Sequence, residues 1–385
     1  RDICTTSPRL VVEENHRVSS VGQRFCPNLP AIGMWWLKRH ESLASQNDPK
    51  GWLQRYMDAI YLPFWRREFD AEDVDAVVAV LAQIGAPTDD FVAFAQGDGA
   101  RFNDKAQSNT FDAGVYGVPT YQLIEHPDRR GVPAQFFGRE HLPRIAALLA
   151  NQEKPLPDVA YALPADLDDL ALEKCASVPG VSQSQQSLPV YFDFASPNSY
   201  LALPALMQLK AKGIVLSWHP FEHKPLKKPA SYAADEDRAA RHRRVRGEYI
   251  ALDIQRYAPH PLRDLYMHME SANANLGLIW LQQIAPARVD DYVCRIFQQL
   301  WRDHVDISDL SVVTEQLQQI LGEAEFAPTH WHDFVQSSGS DALDKVYDKA
   351  SELGVTYAPT FFLGEEPFQG RAQLPLISAR LNAGV

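Results

Sequence analysis

The chain has 385 residues, 37 basic against 49 acidic side chains for a net charge of −12, and 45% apolar and 22% charged composition. That length accommodates two or three domains with cores of their own, and the acidic balance argues against nucleic acid or an anionic membrane surface as a general partner. No apolar run approaches the roughly 20 residues needed to span a bilayer, and the four cysteines (Cys4, Cys26, Cys175, Cys294) have neither metal nor redox spacing, so a reducing, cytoplasmic setting is the simpler expectation.

In chain order, Thr6-Ser7-Pro8 is read as the relic of a strand-to-helix corner. The run from Ile60 to Asp70 precedes an apolar-periodic, acidic helix over Val74 to Gly85. Gly114-Val115-Tyr116-Gly117-Val118-Pro119-Thr120-Tyr121 enters a strand whose following turn, Glu125 to Gly131, is polar and points to solvent. Asn151 to Ser187, rich in Pro, Ser and Gln, reads as a linker holding one short acidic helix, Asp166 to Lys174. Beyond it the pattern predicts a strand at 188–194, a helix at 198–212 and a strand at 214–219. A largely helical insertion over about 232–350 follows, then two strands and a last helix from Leu374. The strand–helix–strand unit implies a parallel pair with a right-handed crossover.

The chain also repeats itself. Ile60 to Asp70 matches Ile296 to Asp306, and each is followed by a helix, the second over Leu310 to Gly322. Gly114 to Tyr121 matches Gly354 to Phe361, and Phe137 to Ile145 matches Gln369 to Ile377. Three anchors in one order predict two copies of one fold, over 1–150 and 188–385, joined by the linker 151–187. The first copy is abbreviated, its opening half about 46 residues shorter.

The stretch Tyr191 to Ala202 carries the chemistry. An apolar strand runs into Ser196-Pro197, a favoured N-cap followed by the residue preferred at the first helical position. One hydroxyl is thereby delivered to the positive end of a helix, where a thiolate is stabilised. No cysteine stands at this corner. Downstream, Ala358-Pro359-Thr360-Phe361-Phe362 places a proline at a strand start, expected in the cis form. Together, the run Phe192-Asp193-Phe194-Ala195-Ser196-Pro197-Asn198-Ser199-Tyr200-Leu201-Ala202 and the late Pro-Thr resemble 2-hydroxychromene-2-carboxylate isomerases and kappa-class glutathione transferases. Both are DsbA-like members of the thioredoxin superfamily, and the resemblance covers about 190–380. It implies an α/β fold of two tandem thioredoxin-like (DsbA-like) domains, each a small mixed sheet with an inserted helical subdomain.

The resemblance implies glutathione as cofactor, with Ser196 donating a hydrogen bond to its sulfur; read alone, Ser196 is also a plain helix cap. Ala358 and Pro359 would pair with the peptide as an added strand or serve only as a structural turn. Lys228 fits a glutathione-binding lysine by position or is part of a solvated basic loop. Asn198 and Phe221 are the candidate substrate contacts. At Gly370-Arg371-Ala372-Gln373-Leu374 the family pattern carries an aspartate for the γ-glutamyl ammonium where this chain has Ala372, and an arginine where it has Gln373. Arg371 is free to attract a carboxylate instead, Gln373 is a further candidate glutathione contact, and Glu140 holds the acidic position in the first copy.

Arg238, Arg241, His242, Arg243, Arg244 and Arg246 read as a charged helix face paired with Asp235, Glu236 and Asp237, or as a lid drawing anionic aromatic substrates into a cleft. His330-Trp331-His332-Asp333 has no third ligand at metal spacing and reads as a helix start, so no metal is expected. The implied activity is a glutathione-dependent isomerase or transferase acting on a conjugated, aromatic carboxylate electrophile. The alternatives are a non-catalytic peptide-binding scaffold and DsbA-type disulfide exchange, the latter without its dithiol. Expected partners are a small-molecule substrate and either an intramolecular pseudo-dimer of the two copies or a homodimer, with neither nucleic acid nor membrane.

Overall fold

The computed structural model describes residues 28–41, 50–128, 131–153, 155–161, 187–233, 235–262, 264–267 and 269–382. Thr6-Ser7-Pro8, Cys4, Cys26, Cys175 and the helix expected over 166–174 lie outside these. The chain divides into two compact units, 1–115 and 116–385.

The described part of the first unit is helical: α1 (Asn28–Arg39), α2 (Gly51–Trp65), α3 (Val74–Gln83), α4 (Phe91–Gln96) and α5 (Asp98–Asp112). Its core gathers Trp36, Leu37, Tyr56, Val77, Leu81 and Phe91. α3 starts where Asp73 accepts the Asp75 N–H at 3.0 Å. It stops short of Gly85, which takes the left-handed φ of 78° that L side chains avoid.

The second unit opens with a hairpin, β1 (Thr120–Pro127) and β2 (Pro133–Phe137), followed by a 3-10 turn and α6 (Leu142–Leu149). After it come β3 (Ser187–Phe192), α7 (Pro197–Ala211) and β4 (Val215–Pro220). The helices α8 (Arg238–Tyr257), α9 (Ala272–Ile284), α10 (Val289–Trp301), α11 (Leu310–Leu321), α12 (Pro328–Ser337) and α13 (Gly339–Glu352) lead to β5 (Thr360–Leu363), β6 (Glu366–Gln369) and α14 (Leu374–Asn382). The sheet order is β4-β3-β5-β6, with β3 parallel to β4 and antiparallel to β5. Strand and helix boundaries lie within a few residues of those expected.

Alternation along β3 sorts its side chains between two layers. Leu188, Val190 and Phe192 enter the main core with Leu206, Phe297 and Trp301, and the Phe192 and Phe297 rings lie 5.7 Å apart. Tyr191 packs on the other face with Phe221, Val355, Ala358 and Phe362. α7 is apolar around most of its girth, burying Tyr200, Leu201, Ala202, Leu203, Leu206 and Leu209, as a helix covered on several sides must be.

Both hairpins are entered through a cis proline, Val118-Pro119 and Ala358-Pro359. Their local bonds correspond. Thr120 Oγ1 donates to Gly117 O at 2.7 Å and Thr360 Oγ1 to Tyr357 O at 2.6 Å; Gly138 N donates to Pro119 O and Gly370 N to Pro359 O at 2.9 and 2.8 Å. α11 likewise begins at a capping Asp309 and ends at a left-handed Gly322, as α3 does with Asp73 and Gly85.

The division after Val115, rather than after residue 150, follows from what the first hairpin touches. Tyr249 Oη accepts the Phe137 N–H and Arg256 Nη2 donates to Gln135 O, both at 2.7 Å; α8 thus satisfies the outer edge of β2. Arg144 Nη1 also donates to Arg256 O at 3.0 Å. Among the described residues no helix is long and apolar enough to cross a membrane.

Candidate functional site

Asp193, just past β3, builds the corner. Its Oδ1 accepts the Ala195 N–H at 2.9 Å and the Ser271 hydroxyl at 2.8 Å, and its Oδ2 accepts the His223 N–H at 2.9 Å. This buried carboxylate ties the strand end to the β4 exit and the start of α9. Burial pushes its pKa up from the ordinary carboxylate value, opposed by those three donors. The chain then turns so that Ser196, at φ −87° and ψ 116°, caps α7.

Ser196 Oγ accepts the Ser199 N–H at 3.4 Å and donates to Ala358 O at 3.2 Å. The hydroxyl at the helix start and the peptide before the late proline therefore meet directly. They adjoin a cavity of about 840 Å³ walled by Ser196, Pro197 and Asn198 on one side and Gly370, Arg371 and Ala372 on another. Phe137 at the end of β2 and Glu140 and His141 in the 3-10 turn after it also line the cavity, with Tyr249 and Asp253 of α8.

Arg371 is 7% exposed. Its Nε donates to both Asp158 carboxylate oxygens at 3.2 Å, its Nη1 donates to Asn198 Oδ1 at 2.6 Å, and its Nη2 is buried with no hydrogen-bond partner. Asn198 Nδ2 in turn donates to Tyr357 Oη at 3.1 Å. Arg371 is thus fixed against the first turn of the Ser196 helix.

Elsewhere on the cavity lining, His141 Nδ1 lies 2.7 Å from Tyr257 Oη, and its Nε2 lies 3.4 Å from Tyr249 Oη and 3.8 Å from Asp253 Oδ1. Arg256 Nη1 donates to Asp253 Oδ1 at 2.8 Å. Burial lowers the His141 pKa, with Asp253 opposing, and so favours the neutral ring.

The sequence model of the DSBA-like thioredoxin domain matches residues 187–382. The chain belongs to this family. Among curated relatives, the 2-hydroxychromene-2-carboxylate isomerase of Pseudomonas putida is 25% identical over 200 residues, 50% of this chain and 92% of the relative. That of Pseudomonas sp. strain C18 is 29% identical over 196 residues, covering 48% and 84%. Solved structures similar to it include a 2-hydroxychromene-2-carboxylate isomerase (TM-score 0.40, 23% identity, 51% of this chain and 95% of that one). Another is the cytosolic disulfide reductase DsbM of Pseudomonas aeruginosa with GSH (TM-score 0.37, 16% identity, 51% and 97%).

Of the residues nominated from sequence, the DsbA-like domain brings Ser196, Asn198 and Arg371 onto the cavity wall. Ala358 touches Ser196, but it is 1% exposed and its carbonyl is already bonded; Pro359 is also buried, its carbonyl held by Gly370 N. Three others lie off that wall. Phe221 packs into the apolar cluster of Tyr191, Val355 and Phe362, where burial in that layer outweighs exposure to a ligand. Lys228 stays exposed on the segment after β4, away from the wall. Gln373 sits in the 3-10 turn, off the cavity, its N–H donating to Gly370 O.

In the basic run, Arg244 pairs with Glu236 at 2.5 Å, both side chains largely covered, whereas Arg246 reaches the cavity wall. No group of three or more potential metal ligands occurs among the described residues, and His330, His332 and Asp333 lie on α12. Asp158, Tyr249, Asp253 and Tyr357 were missed. Nothing local marks an aspartate in a linker as the partner of Arg371, or a tyrosine on a basic helix as lining the cavity, when the segments that meet are more than a hundred residues apart.

Proposed function

We propose that this cavity binds a thiol peptide of the glutathione type, its sulfur at Ser196, and that the chain uses it to isomerise or conjugate an aromatic carboxylate electrophile. The reading rests above all on one contact: a helix-capping hydroxyl 3.2 Å from the Ala358 carbonyl, on a cavity wall, at a corner without cysteine. A bound thiol supplies the nucleophile, adding to a conjugated carbon and, on the isomerase route, leaving again after bond rotation, with no net redox change.

The chain's own residues hold that chemistry. A free thiol ionises near pH ~8.5, and the α7 N-terminus together with a hydroxyl donor lowers that value. Ser196 spends its one O–H on a neutral carbonyl; a thiolate is the stronger acceptor, since charge-assisted hydrogen bonds are roughly twice as strong. Donation to sulfur therefore competes with donation to Ala358 O. Arg246 and Arg371 on the cavity wall suit a carboxylate, and Tyr116, Phe137 and Tyr249 give that wall an aromatic surface. The isomerase relatives support the same class of substrate. A reducing, cytoplasmic setting fits it.

We further propose that residues up to about 150 descend from a second copy of this fold. The matched hairpin bonds, paired helix caps and left-handed glycines support this. In that reading the two hairpins face one cavity as a dimer's would, within one chain.

Titration calorimetry with millimolar glutathione tests the central reading. Binding that weakens about tenfold in Ser196→Ala is the expected outcome. No binding by either protein favours the scaffold reading, to which Ala372 in place of an acid also points. Disulfide exchange is disfavoured: the cysteine among the described residues, Cys294, packs on Met207, with burial pushing its thiol up to about 11. Turnover in an insulin-reduction assay would reverse that judgement.

A further inference from the structure

Ser196 can hold a thiolate but is not placed to make one. Its Oγ donates to Ala358 O and already accepts the Ser199 N–H, and a helix N-terminus stabilises an anion without accepting a proton. The proton of a bound thiol needs a base on the same cavity. Two histidines among the described residues line it, His141 and His223. Both ring nitrogens of His141 lie within 3.4 Å of tyrosine hydroxyls. The His223 ring makes no hydrogen bond among the described residues; it stands edge-on to Tyr357 at 5.7 Å and to Phe221 at 6.3 Å between centroids.

The backbone brings His223 to the Ser196 corner. Asp193 accepts the Ala195 N–H on Oδ1 and the His223 N–H on Oδ2, each at 2.9 Å, so one carboxylate joins the serine's turn to the β4 exit. On the other side Tyr357, against which the imidazole stands, directly precedes Ala358 and meets Asn198 Nδ2 at 3.1 Å. Ser196, Asn198, His223 and Tyr357 all line the cavity. The titratable groups on the elements about His223 are Glu222 and Lys224 beside it in the chain, Asp193, Glu270 ahead of α9, Tyr347 of α13 and Tyr357. Burial holds the His223 pKa below its ordinary 6.5, so at pH 7 the ring is neutral and can accept a proton.

We propose that His223 is the general base of the reaction, taking the thiol proton as the sulfur adds to the substrate. This rests on the thiol-peptide reading above and supplies the base that Ser196 cannot be. The S–H bond breaks toward an imidazole nitrogen, the S–C bond forms, and the electron pair of the conjugated C=C moves to the carbonyl oxygen. On the isomerase route that pair returns after bond rotation and expels the thiolate, and the imidazolium gives the proton back to sulfur. On the transferase route the imidazolium protonates the enolate carbon. Neither route needs an oxidant or a reductant.

Steady-state kinetics of the full chain test this, with glutathione and benzylidenepyruvate, an aryl enone carboxylate, as probes. We expect His223→Ala to lower kcat at pH 7 about a hundredfold and to leave the KM for glutathione within about twofold, with added imidazole restoring at least about tenfold of the loss. Wild-type kcat should level off above pH 6.5, whereas that of His223→Ala should keep rising toward the thiol's own ionisation, since only preformed thiolate then reacts. His223→Phe keeps a ring against Tyr357 and Phe221 and should lose as much as His223→Ala. Wild-type kcat in His223→Phe, or no rescue of His223→Ala by imidazole, overturns the base. Glutathione-dependent turnover that survives both His223 variants but falls in Ser196→Ala overturns the base and leaves the thiol reading standing. Wild-type turnover that is absent, or independent of glutathione, overturns both. Circular dichroism of each variant guards against misfolding, and His223→Gln replaces any that unfolds, with the same loss expected.

Discussion

The two hairpins of the second unit share their entry, their threonine bonds and their closing glycine, yet they live in different surroundings. β5 pairs with β3, and Thr360, Phe361 and Phe362 are buried. β1 pairs only with β2 among the described residues, and its leading Val118 is 84% exposed. α8 compensates at the other edge through Tyr249 and Arg256. The matched tryptophans diverge in the same way. Trp301 is 4% exposed and donates Nε1–H to Phe194 O at 2.9 Å, whereas Trp65 is 48% exposed. Similar local sequence writes similar local bonds, but burial depends on whether a strand stands beside them. An isolated two-stranded hairpin is marginal in water, so the first depends on its helix.

The tryptophans offer the widest contrast. Trp301→Ala is expected to destabilise the second unit by about 3–5 kcal/mol in urea unfolding, from lost packing and a stranded Phe194 carbonyl. Trp65→Ala should change the first unit by about 0.5 kcal/mol or less, as exposed positions do. Equal losses would erase the distinction between the copies. Arg256→Ala comes next. It removes the bonds to Gln135 O and Asp253 and the guanidinium stacked 4.1 Å from the Phe136 ring. Amide hydrogen exchange over 120–137 should then quicken about tenfold or more, with 360–369 unchanged. Quickening in both hairpins would mean that they open as one.

The smallest effect is in pH. The folded His141 pKa lies below its ordinary 6.5, so the unfolded chain binds more protons in the window just below that value. The stability it contributes is complete above pH 6.5 and is lost as pH falls through the folded pKa. His219 and His223, also lowered by burial, act in the same sense. Glu140 and Asp193, raised by burial, favour the folded state as pH falls. Melting temperature should drop on acidification from pH 7 to 5.5, and His141→Gln should remove a part of the drop equivalent to less than about 1.4 kcal/mol. An unchanged drop in the variant would show that His141 is not its source.

Much of the Ser196 corner was legible because its signals are local. A β-rich run, a Ser-Pro cap and an apolar helix act within a dozen residues, and Ser196 meeting Ala358 follows from β3 pairing with β5. Lys228, Phe221 and Gln373 were placed by position in a motif, and there local order is a poor guide. Whether a side chain faces a cavity or a core depends on the layer beyond it. Phe221, expected as a substrate contact, shows this most plainly, packed among Tyr191, Val355 and Phe362.

By itself the sequence determined the strand–serine–helix corner, the two cis-proline hairpins and the matched caps, since steric and hydrogen-bonding preferences of neighbouring residues suffice for each. Tertiary structure alone decided that the first hairpin joins the second unit and brings Glu140 and Arg371 to line one cavity. Those placements depend on α8 and the 155–161 segment bonding to backbone more than a hundred residues away. The free energy of such contacts belongs to the packed whole and leaves no periodic trace in the chain.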